Sequence, residues 1–248
     1  MTTTSLNTSL TTETFTRFSL SQRIQHLLLI TSFTLLGLTG LCQLFVQAAW
    51  AQGFMSILGG LDGVRRIHHL AAIVMVFVFV YHVFGVIFDW LAGRRGQMLP
   101  NRKDFKDAGH AVNYLLGRRE DKPQYDRFDF RQKIEYWALI WGTILMSVTG
   151  LVLMFPTFFA RYISGMVIYA AKAAHGLEAL LAIASIIIWH MYNTHFAENT
   201  GPVDTTIFTG KISRERLMEE HPLEYQRLLA MEEQEAPEAY TDTEGGAS

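Results

Sequence analysis

Residues 65–91 read RRIHHLAAIVMVFVFVYHVFGVIFDWL. Two arginines and two histidines lead into an apolar run that continues to Leu91, interrupted by Tyr81, His82 and, near its end, Asp89. About 20 apolar residues, rising about 1.5 Å each, cover the roughly 30 Å hydrocarbon core of a bilayer. This stretch is long enough to cross one.

Three further stretches reach that length, so residues 24–46, 68–91, 134–155 and 167–192 are expected to be transmembrane helices. Half of the 248 residues are apolar, and they are gathered into these runs instead of being spread through the chain. A cleaved signal peptide is the competing reading of the first run. That run is too long, has no small-residue cleavage site and follows a Ser/Thr-rich leader, so it reads as a permanent span. The expected fold class is all-α: an integral membrane four-helix bundle.

The net charge is −2, and the basic residues are sorted by loop, which gives no nucleic-acid-binding face. Eleven of the 21 Lys and Arg residues lie in 94–133, between the second and third spans, and Arg17 and Arg23 precede the first. The loop 47–67 carries Arg65 and Arg66, and the turn after Phe155 carries Arg161. Positive-inside sorting therefore predicts that both termini face the cytoplasm. Residues 1–16 read as a disordered leader and 17–196 as the membrane domain. Residues 197–248 read as a cytoplasmic C-terminal helix, about 214–235, followed by a disordered acidic tail.

The single cysteine, Cys42, lies inside the first span and reads as small apolar filler. One cysteine supplies no disulfide framework, iron–sulfur ligand set or covalent haem attachment.

The chain repeats itself. At an offset of 110, Gln22-Arg23-Ile24-Gln25-His26 aligns with Gln132-Lys133-Ile134-Glu135-Tyr136, and Thr39-Gly40-Leu41 aligns with Thr149-Gly150-Leu151. At an offset of 107 or 108, His68-His69-Leu70-Ala71-Ala72 aligns with His175-Gly176-Leu177-Glu178-Ala179, and Tyr81-His82 aligns with Trp189-His190. The bundle is expected to be two tandem helical hairpins related by a pseudo-twofold along the membrane normal.

Histidine in a membrane span is costly, so aligned histidines require a function. His68 and His82 are 14 apart and His175 and His190 are 15 apart, which places each pair roughly on one side of its helix, about 21–22 Å apart in rise. Two facing helices then offer two levels of paired imidazoles, the arrangement that holds haem iron for electron transfer without an open coordination position. Pairing across the pseudo-twofold joins His68 with His175 near the outer face, and His82 with His190 near the cytoplasmic face. His69 points about 100° away from His68 and could replace it in a rotated helix. His195 reads as interfacial, and His110 and His221 as loop residues. Thr-Gly-Leu reads either as simple helix packing or as a place where glycine admits a haem or another helix.

Arg23-Ile24-Gln25-His26, Arg65-Arg66-Ile67-His68 and His190-Met191-Tyr192 resemble the cytochrome b subunit of respiratory formate dehydrogenases. Gly210-Lys211-Ile212-Ser213-Arg214 followed by Glu220-His221-Pro222 extends the likeness, which covers about residues 17–230. The resemblance implies two b haems stacked across a bacterial or archaeal cytoplasmic (inner) membrane. It implies a redox partner at the outer face, an iron–sulfur or c-type cytochrome subunit, and a quinone, menaquinone or ubiquinone, near the cytoplasmic haem. It also implies that His26 partners His190, where the repeat supplies His82. Both alternatives stand at this point, together with a third haem on His26 and His195.

Arg65 and Arg66, beside His68, are expected either to bind the outer haem's propionates, which suit a guanidinium fork, or to be residual surface charge. Asp129, Gln132 and Glu135, at the start of the third span, are expected around the quinone head group, with proton exchange to the cytoplasm. The resemblance places Asp129 and Gln132 at matching positions. The expected function is quinone-linked electron transfer by an oxidoreductase subunit. The rivals are a self-contained cytochrome b561-type oxidoreductase and a haem-free membrane anchor or transporter.

Overall fold

The computed structural model describes residues 13–93, 96–196 and 204–235. Most of the leader, Arg94 and Arg95 of the basic loop, and the acidic tail lie outside the described residues. Four helices are long and apolar enough to cross a membrane: α1 (Leu20–Leu44), α3 (Gly60–Leu91), α5 (Phe130–Met154) and the continuous helix Gly165–Phe196. The last of these is α-helical over Gly165–Ala184 (α7) and π-helical over Ser185–His190 and Tyr192–Phe196. The protein is a helical membrane bundle with almost no sheet.

The chain divides into two compact units that are not contiguous in sequence. The larger comprises residues 17–96 and 134–210 and contains the spans. Its first helix starts at Ser19, whose hydroxyl accepts from the Gln22 amide while the Gln22 side chain accepts from the Ser19 amide, so two otherwise unsatisfied donors are capped. Helix α1 packs along α3 and also touches α7. The loop expected over 47–67 is instead a short helix, α2 (Ala49–Ile57), followed directly by an α3 that begins eight residues earlier than the apolar run. Ala51 and Met55 of α2 are buried against Val64 and Cys42, an apolar plug over one end of the bundle. Gly63 is required there, because a Cβ would stand 1.8 Å from the Leu58 carbonyl oxygen.

The smaller unit comprises residues 1–16, 97–133 and 211–248. Thr14–Thr16 (β1), expected to be disordered, pairs antiparallel with Lys211–Ser213 (β2), Phe15 opposite Ile212. Ile212 is buried with Leu217 and Tyr225 from α9 (Arg214–Glu220) and α10 (Pro222–Glu235), and Phe15 covers them. This burial orders the leader's end. The basic loop carries α4 (Arg102–Leu115), held by Asp104 to Lys133 at 2.8 and 3.0 Å. His221 is not a free loop residue: it is 6% exposed and its Nδ1 donates to the Asp126 carbonyl at 2.7 Å. The remaining elements are the single turns α6 (Pro156–Phe159), between the third and fourth spans, and α8 (Thr206–Thr209).

Candidate functional site: two histidine pairs in the bundle

The two Thr-Gly pairs of the repeat meet the histidines of the neighbouring helices. On α1, the Thr39 hydroxyl donates to the Leu35 carbonyl one turn back and lies 2.9 Å from His68 Nδ1 on α3. On α5, the Thr149 hydroxyl donates to Leu145 at 2.7 Å and lies 2.9 Å from His175 Nδ1 on α7. A hydroxyl has one proton, and here the backbone holds it, so the oxygen accepts the Nδ1–H. Each imidazole is thereby fixed with an unprotonated Nε2. The glycines supply space: a Cβ on Gly40 would stand 3.4 Å from His68 Cε1, and one on Gly150 would stand 3.1 Å from His175 Cε1. The His68 and His175 rings face each other with centroids 6.4 Å apart.

At the other end of the bundle His190 faces His26 of α1, centroids 6.3 Å apart. His190 Nδ1 donates to Glu135 at 3.0 Å, which again leaves Nε2 as the lone-pair nitrogen. His26 Nδ1 is buried without a hydrogen-bond partner among the described residues. His82 is differently engaged: its Nδ1 meets Gln25 Oε1 at 3.2 Å and its Nε2 meets Tyr136 at 3.0 Å. Both its nitrogens are spent on protein.

The repeat led to His82 opposite His190, and the structure instead sets His26 there. Two physical reasons account for the difference. In the π-helical turn Ser185–His190 each residue advances by less than the α-helical step, so His190 lags by roughly a quarter-turn. The pseudo-twofold exchanges α1 with α5 and α3 with the last span, so it carries His26–His190 onto Tyr136–His82 and not onto itself. Of the two facing pairs, only His68–His175 maps onto itself. One of the two equivalent places at the far end therefore holds two histidines, and the other holds a histidine bonded to a tyrosine.

An imidazole on each side of one iron, with metal–nitrogen bonds of about 2 Å and about 1.2 Å from nitrogen to ring centre, has centroids about 6.4 Å apart. Both histidine pairs fit that spacing, and the set fits haem. Among the described residues no group of three His, Cys, Asp or Glu side chains could hold a bare metal ion.

No family model matches the sequence. Individual relatives do. The cytochrome b556(fdo) subunit of an Escherichia coli formate dehydrogenase is 26% identical over 224 residues, 90% of this chain and 98% of the relative. Over most of its length this chain is similar to formate dehydrogenase cytochrome b556 subunits. The nitrate-inducible cytochrome b556(Fdn) subunit of Escherichia coli is 25% identical over 233 residues, 90% of this chain and 93% of the relative. The cytochrome b556 subunit of Haemophilus influenzae formate dehydrogenase is 26% identical over 170 residues, 68% of this chain and, at 66%, just under two thirds of the relative.

The other residues singled out in the sequence are placed as follows. Arg65 and Arg66 are exposed at the start of α3, and Arg65 lies 3.7 Å from Asp62. His69 touches the His68 ring edge-on. His195, read as interfacial with a third haem on His26 and His195 as the alternative, accepts from the Asp204 amide at 3.2 Å. Asp129 and Gln132, in the smaller unit, cap each other at the start of α5, at 2.8 and 3.1 Å. Glu135, in the larger unit, serves His190. Sequence reasoning missed the roles of Thr39, Thr149 and Glu135 toward histidine. The signal was present in the Thr-Gly that recurs at the same place in the first and third spans.

Proposed function

We propose that this chain is the haem b-carrying electron-transfer subunit of a formate dehydrogenase-type membrane oxidoreductase, holding two haems and exchanging electrons with a quinone. The observation that carries the reading is the two histidine pairs, 6.4 and 6.3 Å apart at their centroids, at opposite ends of one bundle. His68 with His175, and His26 with His190, would hold the two haems. Haem b, when bound, supplies a one-electron redox centre at each level. On α1, His26 and Gly40 are 14 residues apart, so the levels lie about 20 Å apart along the bundle.

The residues around the ligands have separable tasks. Thr39 and Thr149 hold His68 and His175 in one tautomer with a neutral acceptor. Glu135 holds His190 with a carboxylate, which makes that imidazole the stronger donor. Arg65 and Arg66 remain available to haem propionates as a guanidinium fork is suited to carboxylates.

Positive-inside sorting puts the His26–His190 end and both termini at the cytoplasm. Quinone reduction consumes two protons, and the His82, Tyr136 and Gln25 cluster at that end is a chain of exchangeable protons inside the bundle. Asp129 and Gln132 position the start of α5, the helix that brings in Glu135 and Tyr136. The other formate dehydrogenase subunits, with an iron–sulfur or c-type cytochrome subunit at the outer face, would be the electron partner in a bacterial or archaeal inner membrane.

The test is haem stoichiometry and a redox-titrated visible spectrum on purified chain for wild type, His26→Ala, His190→Ala and His82→Ala. Two haems in wild type and in His82→Ala, with one lost in each of the other two variants, is the expected result. A haem-free wild type, or loss in His82→Ala with retention in His26→Ala, refutes the assignment.

A further inference from the structure

Helix α4 is amphipathic in the inverted sense. Its polar side faces its own unit: Asp104 binds Lys133, and His110 lies 3.1 Å from the Asp121 carboxylate. Its apolar side faces outward. Phe105 is 77% exposed, Val112 55%, Leu115 80% and Leu116 58%. Positions 105, 109, 112 and 116 follow one another at steps of four, three and four, so they form a single stripe along the helix. Arg102 and Lys106 border it and Arg118 follows its C-terminal end, all exposed and without an ion pair among the described residues.

Water is a poor environment for such a stripe, since soluble surfaces rarely leave a contiguous apolar face open. Chain connectivity limits what else can cover it. Ten residues, 92–101, join α4 to the last residue of the span α3, a reach of at most about 35 Å. The residues 116–129 return it to the span α5. Both ends are thus tied to a bilayer. An apolar stripe bordered by cations is the pattern of a helix lying in the headgroup layer, its apolar side against the acyl boundary and its cations among anionic headgroups.

We propose that α4 is a membrane-surface helix that inserts Phe105, Val112, Leu115 and Leu116 below the phosphates and binds anionic phospholipid through Arg102, Lys106 and Arg118. The proposal rests on the spans that flank α4 and not on haem binding, so it survives or fails independently of the electron-transfer reading.

The test uses full-length chain reconstituted in vesicles of phosphatidylethanolamine and phosphatidylglycerol. A polarity-sensitive fluorophore is attached at Val112→Cys or, separately, at Phe105→Cys. Cys42 is 1% exposed and out of the reagent's reach. Met231→Cys, on the exposed side of α10 in the same unit, is the control. The expected result at 105 and 112 is a blue-shifted emission and quenching by shallow spin-labelled lipid several-fold stronger than at 231. Quenching should fall several-fold in pure phosphatidylcholine and in the Arg102→Glu, Lys106→Glu double variant. Equal quenching at 112 and 231, or free access of iodide to 105 and 112, overturns the proposal. So does protection that requires a co-purified subunit, which would assign the stripe to a protein partner. Quenching that is the same in neutral and anionic lipid overturns the headgroup assignment.

Discussion

Gly150 stands closer to a histidine ring than Gly40 does. An alanine methyl there would stand 3.1 Å from His175 Cε1 and 3.7 Å from Nδ1. Carbon atoms rest at about 3.5–4.0 Å, so the ring must retreat by roughly half an ångström. It cannot do so freely, because the Thr149 hydroxyl holds Nδ1 at 2.9 Å. Retreat lengthens that hydrogen bond or swings Nε2 off the line to His68. Overpacking of this kind costs about 1–3 kcal/mol, which is roughly 5- to 150-fold in ligand affinity. Helix propensity acts the other way, since alanine is better than glycine by about 1 kcal/mol, so the fold should persist while ligation weakens. Gly40 is the internal control: the same methyl would be 3.4 Å from His68 Cε1, nearly ordinary contact, at a cost well under about 1 kcal/mol. Haem per chain and the redox-titrated visible spectrum should therefore show one haem weakened or lost in Gly150→Ala, and Gly40→Ala close to wild type. Two haems with an unchanged spectrum in Gly150→Ala, or a larger loss in Gly40→Ala, would refute the reasoning.

Thr149→Val removes the acceptor from His175 Nδ1 at constant volume and leaves a buried donor unmet, about 1–3 kcal/mol, whereas Thr149→Ser keeps it; haem retention under dilution should fall about 10- to 100-fold in the valine variant alone. Glu135→Gln keeps a hydrogen bond to His190 but removes the charge that favours oxidised iron. The midpoint potential of the His26–His190 level should rise by about 40 mV, from roughly 1 kcal/mol between charged and neutral hydrogen bonds, and an unchanged or lowered potential would sink the assignment of Glu135. In the smaller unit, partial burial raises the Asp126 carboxyl, but the hydrogen bonds from Arg227 and from the Arg127 amide outweigh it and hold it below the usual carboxylate range. A depressed folded pKa contributes stability above the ordinary value of about 4 and loses it as the pH falls through the folded value. The hydrogen-exchange protection factors of α10, referred to the intrinsic rate at each pH, should fall as the pH is lowered through about 4 and below, and Asp126→Asn should remove that component.

The membrane spans and the duplication were legible because both are local or self-referential properties of the chain. Length and hydropathy suffice for a span, and aligned Thr-Gly and His residues suffice for a repeat. His68 with His175 was legible too, because that pair lies on the axis that the repeat defines and maps onto itself. The smaller unit was not. Its two strands lie almost two hundred residues apart, and Phe15 looks like leader until Ile212, Leu217 and Tyr225 gather beneath it.

By itself, then, the sequence determined an all-α membrane bundle of two hairpins and the set of polar side chains available inside it. Only the tertiary structure decided which of them meet. The repeat favoured His82 opposite His190, and the family resemblance favoured His26. The choice turns on a π-helical turn at Ser185–His190 and on Tyr136 and Gln25 engaging both His82 nitrogens. That Glu135 meets His190, at 3.0 Å, is likewise decided by where the last span lies. Rotation of a helix about its own axis changes neither its hydropathy nor its length. It is set by side chains on other helices, and a pattern read along one segment carries no record of them.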